Sequence, residues 1–85
     1  MDASDVLSKN KGICLYRIKR FDQALASFDQ AIKLDPNDVS ALDNKGRCLF
    51  DLKRFYDAIN SYDQAIPIIQ HMQKYTIVMV RVLKN

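Results

Sequence analysis

The stretch Asn10-Lys11-Gly12-Ile13-Cys14-Leu15 is written a second time as Asn44-Lys45-Gly46-Arg47-Cys48-Leu49. Gly12 and Gly46 stand 34 residues apart, and at that offset residues 5–38 align with residues 39–72 without a gap, 14 of the 34 pairs being identical. The likeness continues beyond the quoted stretch: Lys19-Arg20-Phe21 returns as Lys53-Arg54-Phe55, Ala24 as Ala58, Ser27 as Ser61, and Asp29-Gln30-Ala31-Ile32 as Asp63-Gln64-Ala65-Ile66. A unit of this length cannot bury its own apolar face, so each is one supersecondary element that stacks on its copy.

Within the first unit, Val6, Leu7, Cys14, Leu15 and Ile18 fall at helical spacing, which predicts a helix from Asp5 that ends near Arg17 to Arg20, with Ser4 as its N-cap. A second helix is expected from about Phe21 to Leu34, since Phe21, Ala24, Leu25, Phe28, Ala31 and Ile32 step by three and four. Asp35-Pro36-Asn37-Asp38 stops it, because proline disfavours helix in the residue before it and Asn or Asp can cap the next helix. The pattern restarts with a third helix over about Val39 to Asp51 and a fourth from about Phe55.

The second unit departs from the first at its end. Pro67 stands where the first unit has Lys33 and predicts a kink or an early stop in the fourth helix. Ile69-Gln70 replaces the Asp35-Pro36 stop, so the chain either runs on as helix or bends at the proline. Residues 73–85 begin where a third unit would begin but lack its Asn-Lys-Gly signature. Lys74, Arg81 and Lys84 share one helical face and favour a fifth helix, whereas the β-branched run from Thr76 to Leu83 would also suit a strand.

Eighty-five residues with 48% apolar and 27% charged side chains describe one small domain of ordinary globular composition. Ordering costs roughly 1.5 kcal/mol per residue, so a unit of this size is near break-even on its own buried area and gains from further burial. The net charge of +3 is spread over both repeats among ten acids, which argues against a nucleic-acid or membrane-surface binder. Met1-Asp2-Ala3-Ser4-Asp5 is not a secretory signal, no apolar run spans a bilayer, and a cytoplasmic location is expected. Cys14 and Cys48 occupy equivalent places in successive units, where stacked helices about 8–10 Å apart stand beyond the ~7 Å that a disulfide needs. Two small buried hydrophobes in a reducing compartment are expected.

The repeated residues resemble the tetratricopeptide repeat, a 34-residue helix-turn-helix with small residues where its helices meet. The first unit supplies Gly12, Leu15, Ala24, Phe28 and Pro36 to that pattern, and the second supplies Gly46, Leu49, Ala58 and Tyr62, with Gln70 in place of the proline. Ser8 and Leu42 stand where the family has tryptophan, and Lys11 and Lys45 where it has leucine. The resemblance implies an all-α solenoid of two stacked hairpins followed by the 73–85 segment, with Gly12 against Ala24, and Gly46 against Ala58, letting paired helices approach.

It also implies a module that binds proteins, without catalysis or cofactor. Carried over by register, the concave groove would hold Lys9, Ile13, Tyr16 and Arg17 from the first helix and Asp43, Asn44, Arg47, Phe50 and Asp51 from the third, extended by Lys74 and Val78. Lys9 is expected above Asp43, and Arg17 above Asp51, as surface pairs worth about 0–1 kcal/mol each. A subclass of the family grips the C-terminal carboxylate of chaperones with Lys and Asn side chains; Lys9, Asn44 and Lys74 match that clamp, while Ile13 and Val78 do not. Tyr16 and Phe50 either anchor an apolar side chain of a partner or pack on the neighbouring helix.

No catalytic or metal-ligating constellation is visible: His71 has no Cys or carboxylate at ligand spacing, and the glycines lie inside helices. Two other classes remain open. Lys19-Arg20 and Lys53-Arg54 form a basic edge that could meet nucleic-acid phosphates, although Asp22 and Asp57 lie beside it. Repeat arrays generally need three or more units, so two units with an apolar tail also point to self-association through residues 73–85 and the open face of the fourth helix, or to a piece of a longer array.

Overall fold

The structure, a computed structural model, describes the backbone of residues 3–84 and the side chains of residues 4–71, 73 and 74. Four helices follow one another: α1 Ala3–Arg17, α2 Phe21–Leu34, α3 Val39–Asp51 and α4 Phe55–Lys84. Each packs on the next, and α1 also touches α3, so the order in space is the order in sequence. Among the described residues there is no strand.

Both hairpin turns are built alike. After α1, the Lys19 N–H donates to Tyr16 O and the Arg20 N–H to Leu15 O, each at 2.9 Å; after α3, Lys53 donates to Phe50 O and Arg54 to Leu49 O at 2.9 and 2.8 Å. These paired bonds are a Schellman closure, which requires a left-handed residue after the helix. Here lysine takes that place, with φ of 64° at Lys19 and 63° at Lys53.

Between the repeats, Asp35 leaves the helix in an extended conformation and its Oδ1 accepts the Asn37 N–H at 3.1 Å. Asp38 then caps α3, its Oδ1 accepting the Ala41 N–H at 3.2 Å. Ser4, by contrast, is inside α1 rather than its N-cap, because the helix already begins at Ala3.

The core lies at the junction of the two repeats. Ala24, Leu25 and Phe28 of α2 meet Cys48 and Leu49 of α3 and Ala58 of α4, with Ile13, Leu15, Tyr16, Leu52 and Tyr62 against them. Tertiary position sets equivalent residues apart. Cys48 and Leu49 are buried, whereas Cys14 is exposed and Leu15 half-buried, because α2 of the first repeat covers only the second copy of that face. The expectation of two buried cysteines therefore holds for Cys48 alone; both thiols are free.

The atoms nearest to the space beside each glycine are those of an aromatic ring. A Cβ on Gly12 would stand 2.6 Å from Phe28 Cε1, and one on Gly46 2.6 Å from Tyr62 Cε1. Ser61 reinforces the second contact, donating its hydroxyl to the Leu42 carbonyl at 2.8 Å.

The largest difference from the expected elements is α4. It continues through Pro67 to Lys84 as one helix of 30 residues, about 45 Å long, so residues 73–84 are neither a fifth helix nor a strand. Proline removes one amide donor, but Ile69-Gln70-His71 offers none of the Asx-turn chemistry with which Asp35 ends α2. Nothing local competes with the helix, and α3, at 13 residues, accompanies only its first half. Side chains of residues 75–84, Val78 included, lie outside the described set.

Candidate functional site

Helix register places Lys9, Ile13, Tyr16 and Arg17 on one face of α1, and Asp43, Arg47, Phe50 and Asp51 on one face of α3. Tyr16 ties the two faces, its hydroxyl donating to Asp51 Oδ2 at 2.5 Å. That bond, with burial and the Asp51 charge, pushes the Tyr16 phenol up to about 12. Its ring also meets Phe21 edge-on at 5.6 Å, so Tyr16 is fixed by packing on one side and by a carboxylate on the other.

Phe50, one repeat later, is placed differently. It stays 57% exposed and makes a T-shaped contact with Phe55, the ring centroids 5.2 Å apart. Of the two aromatic candidates, then, Tyr16 is a half-buried brace and Phe50 an exposed apolar surface held in one orientation.

Neither charged pair expected from the alignment forms among the described residues. Lys9 Nζ meets Asp38 Oδ2 at 3.0 Å, not Asp43, because the α3 cap presents its carboxylate to α1. Asp43 instead pairs with Arg47 on its own helix at 3.4 Å. Asp51 is engaged by Tyr16, and Arg17 is exposed without an ion pair among the described residues. Burial acts to raise the Asp38 carboxyl, but the Lys9 ammonium and the cap Ala41 N–H outweigh it and hold it below its usual range.

Two of the clamp residues have partners within the chain. Lys9 is engaged by Asp38, and the Asn44 amide donates back to Ser40 O at 2.9 Å. Lys74 stands on the continuation of α4, which packs on α3 alone, rather than on the first helix of a third repeat. Ile13 packs on the core and Val78 lies outside the described side chains.

Tyr62 is a further residue of this face that register alone does not single out. Its phenol is raised by burial and by Asp43, with Arg47 acting in the opposite sense, which places it in the field of the α3 face. The available signal was a hydroxyl at the place where the first repeat has Phe28.

On the opposite side Lys45 Nζ meets Asp29 Oδ1 at 2.8 Å, linking the repeats along their outer face. At the basic turns, Arg54 is paired with Asp57 at 2.8 Å, so this edge is partly neutralised. No helix of the described residues is long and apolar enough to cross a membrane.

Two serial α-hairpins, closed by matching turns and joined through one apolar junction, define a helical repeat protein. The tetratricopeptide repeat profile matches residues 7–38 and again residues 39–69. The chain belongs to the tetratricopeptide repeat family, whose repeats generally mediate protein–protein interaction and typically do no catalysis. No curated protein matches the chain significantly.

Proposed function

We propose that the α1–α3 face is a non-catalytic docking surface for an extended peptide or a helix of another protein. The observation that carries this reading is Phe50: a large apolar side chain, 57% exposed, in edge-on contact with Phe55 and flanked on its helix by Arg47 and Asp51. Aromatic anchors of this kind dominate interface energy. Arg47 is paired with Asp43, and exposed Arg17 is the cation of this face without an ion pair among the described residues, so charge adds little to what the apolar ring selects.

Selection of a random displayed peptide library on the whole chain tests this. Peptides enriched by the native chain should bind Phe50→Ala at least about tenfold more weakly while its helicity is unchanged. Equal binding to a folded Phe50→Ala, or loss of binding on changing Tyr56 of the α4 surface instead, would overturn the assignment.

A second reading rests on α4. Ile59 is 55% exposed although its counterpart Leu25 is buried, and Ile66 and Ile69 continue the exposed apolar row. This is the face on which the first repeat receives the second, and it supports self-association or stacking of a further repeat along α4. Light scattering distinguishes them: a dimer dissociated by Ile59→Lys supports self-association, and a monomer at tens of micromolar concentration overturns it.

A further inference from the structure

Three aspartates distant in sequence meet where the first turn of α1 touches the α2–α3 connection. One carboxylate oxygen each from Asp5, Asp35 and Asp38 lie within 4.8 Å of one another. Two of the three are engaged by the fold. Asp35 Oδ1 accepts the Asn37 N–H, and Asp38 divides its oxygens between the Ala41 N–H and the Lys9 ammonium.

Asp5 has no such partner. It is 1% exposed, and neither Oδ1 nor Oδ2 accepts a hydrogen bond from any donor among the described residues. Its carboxyl faces that of Asp38 at hydrogen-bond range, but two ionised carboxylates have no proton to share. A buried polar group is normally satisfied, and a buried charge is paired or bound to a metal. With all three carboxyls ionised the cluster would carry three negative charges against the one positive charge of Lys9, a deficit of two.

We propose that Asp5, Asp35 and Asp38 form an oxygen-only site for a hard divalent cation, Ca²⁺ or Mg²⁺, at the seam between α1 and the α2–α3 connection. The donor set selects this class: carboxylate oxygens, without sulfur or imidazole, suit hard cations. The charge deficit of two matches the ion. Three single-oxygen ligands leave the remaining coordination positions to water, so affinity is modest, with Kd on the order of 0.1–1 mM. Half-buried Asp35 gives the ion a route from solvent to the covered Asp5. Bound there, the ion braces the start of α1 against a connection 30 residues further along the chain.

The competing occupant is a proton. Burial, the Asp38 and Asp35 charges and the bond to Asp38 raise the Asp5 carboxyl against the opposite pull of Lys9, and a protonated Asp5 would donate to Asp38.

Calorimetric titration of the whole, chelator-stripped chain with CaCl₂ and separately with MgCl₂, near neutral pH and at constant ionic strength, tests the site. The expected result is saturable one-site binding and an upward shift of the melting temperature, both weakened at least about tenfold in Asp5→Asn. Asp35→Asn keeps an acceptor for the Asn37 N–H and is the second variant; it should lose binding while retaining native helicity. Absence of saturable binding by the native chain up to about 10 mM of either ion, well above the expected Kd, would overturn the site. So would equal binding by both folded variants. Melting that rises with mild acidification and ignores both ions would assign the cluster to a shared proton instead.

Discussion

Phe28 occupies the space that a side chain on Gly12 would need: a Cβ there would stand 2.6 Å from the ring, which is itself fully buried. Alanine in a helix interior ordinarily gains about 1 kcal/mol over glycine. Overpacking a well-filled contact costs about 1–3 kcal/mol, so Gly12→Ala is expected to destabilise the chain by up to about 2 kcal/mol in urea denaturation. Gly46→Ala should cost less, because Tyr62 is half-buried and has room to turn outward. Adding Phe28→Leu to Gly12→Ala should then cost less than the two single effects summed. Additive costs would show that ring and glycine are not coupled.

The hairpin turns place lysine where the backbone is left-handed, φ being 64° and 63° at Lys19 and Lys53. A non-glycine residue there bears a steric cost of about 1–2 kcal/mol, part of which glycine returns through its larger unfolded-state entropy. Lys53→Gly is expected to raise stability by about 0.5–1 kcal/mol, and Lys19→Gly by a similar amount. Thermal melts of the two single variants and their combination would read this directly. Additive gains are expected, since each turn closes its own hairpin with its own pair of bonds.

Much of this architecture was legible because the residues that set it act locally. The offset of 34 fixed the hairpins, and the Asp35-Pro36-Asn37-Asp38 stop gave the bounds of α2 and α3 and the capping role of Asp38. What escaped depends on neighbours that alignment does not see. Gly12 and Ala24 are both small, yet the contact is made by the larger Phe28, which fills the gap. Lys9 reaches a cap carboxylate that belongs to a connection rather than to the facing helix. Asp5, Asp35 and Asp38 have no recognisable spacing, and only the closing of α1 on the α2–α3 connection gathers them. Pro67 left two outcomes open, and the chain runs on as helix because no residue beyond the proline offers another conformation.

The Tyr16–Asp51 bond makes stability depend on alkaline pH. The Tyr16 phenol titrates near 12 in the folded chain against an ordinary value of 10, so its folded pKa lies above the unfolded one. Such a group contributes stability that is present below about pH 10 and is lost as the pH rises toward 12. Asp51→Asn removes the charge that opposes ionisation, and Tyr16→Phe removes the phenol. Ultraviolet titration should show late-ionising tyrosine absorbance in the native chain, of which the Tyr16 part, absent in Tyr16→Phe, moves toward 10 in Asp51→Asn. Unfolding between pH 10 and 12 should be shallower in Tyr16→Phe. A phenol that ionises unchanged in Asp51→Asn would place its cause elsewhere.

The two cysteines give the most direct reading of how the repeats stack. Cys48 lies in the junction core, and burial, with the nearby Asp51 charge, pushes its thiol up to about 11, whereas Cys14 is exposed at the equivalent place on α1. Thiol reagents attack the thiolate and need access to it. Cys14 should therefore react in one fast phase and Cys48 only through opening of the α2–α3 junction, at a rate set by the free energy of that opening. Urea below the unfolding midpoint should accelerate the slow phase and leave the fast one unchanged. Cys48→Ala removes a packed side chain without creating a polar group and should cost about 1 kcal/mol, while Cys14→Ala should be close to neutral. Equal fast reaction of both thiols would mean that α2 of the first repeat does not cover the α3 face of the second, and the stacked arrangement would fail with it.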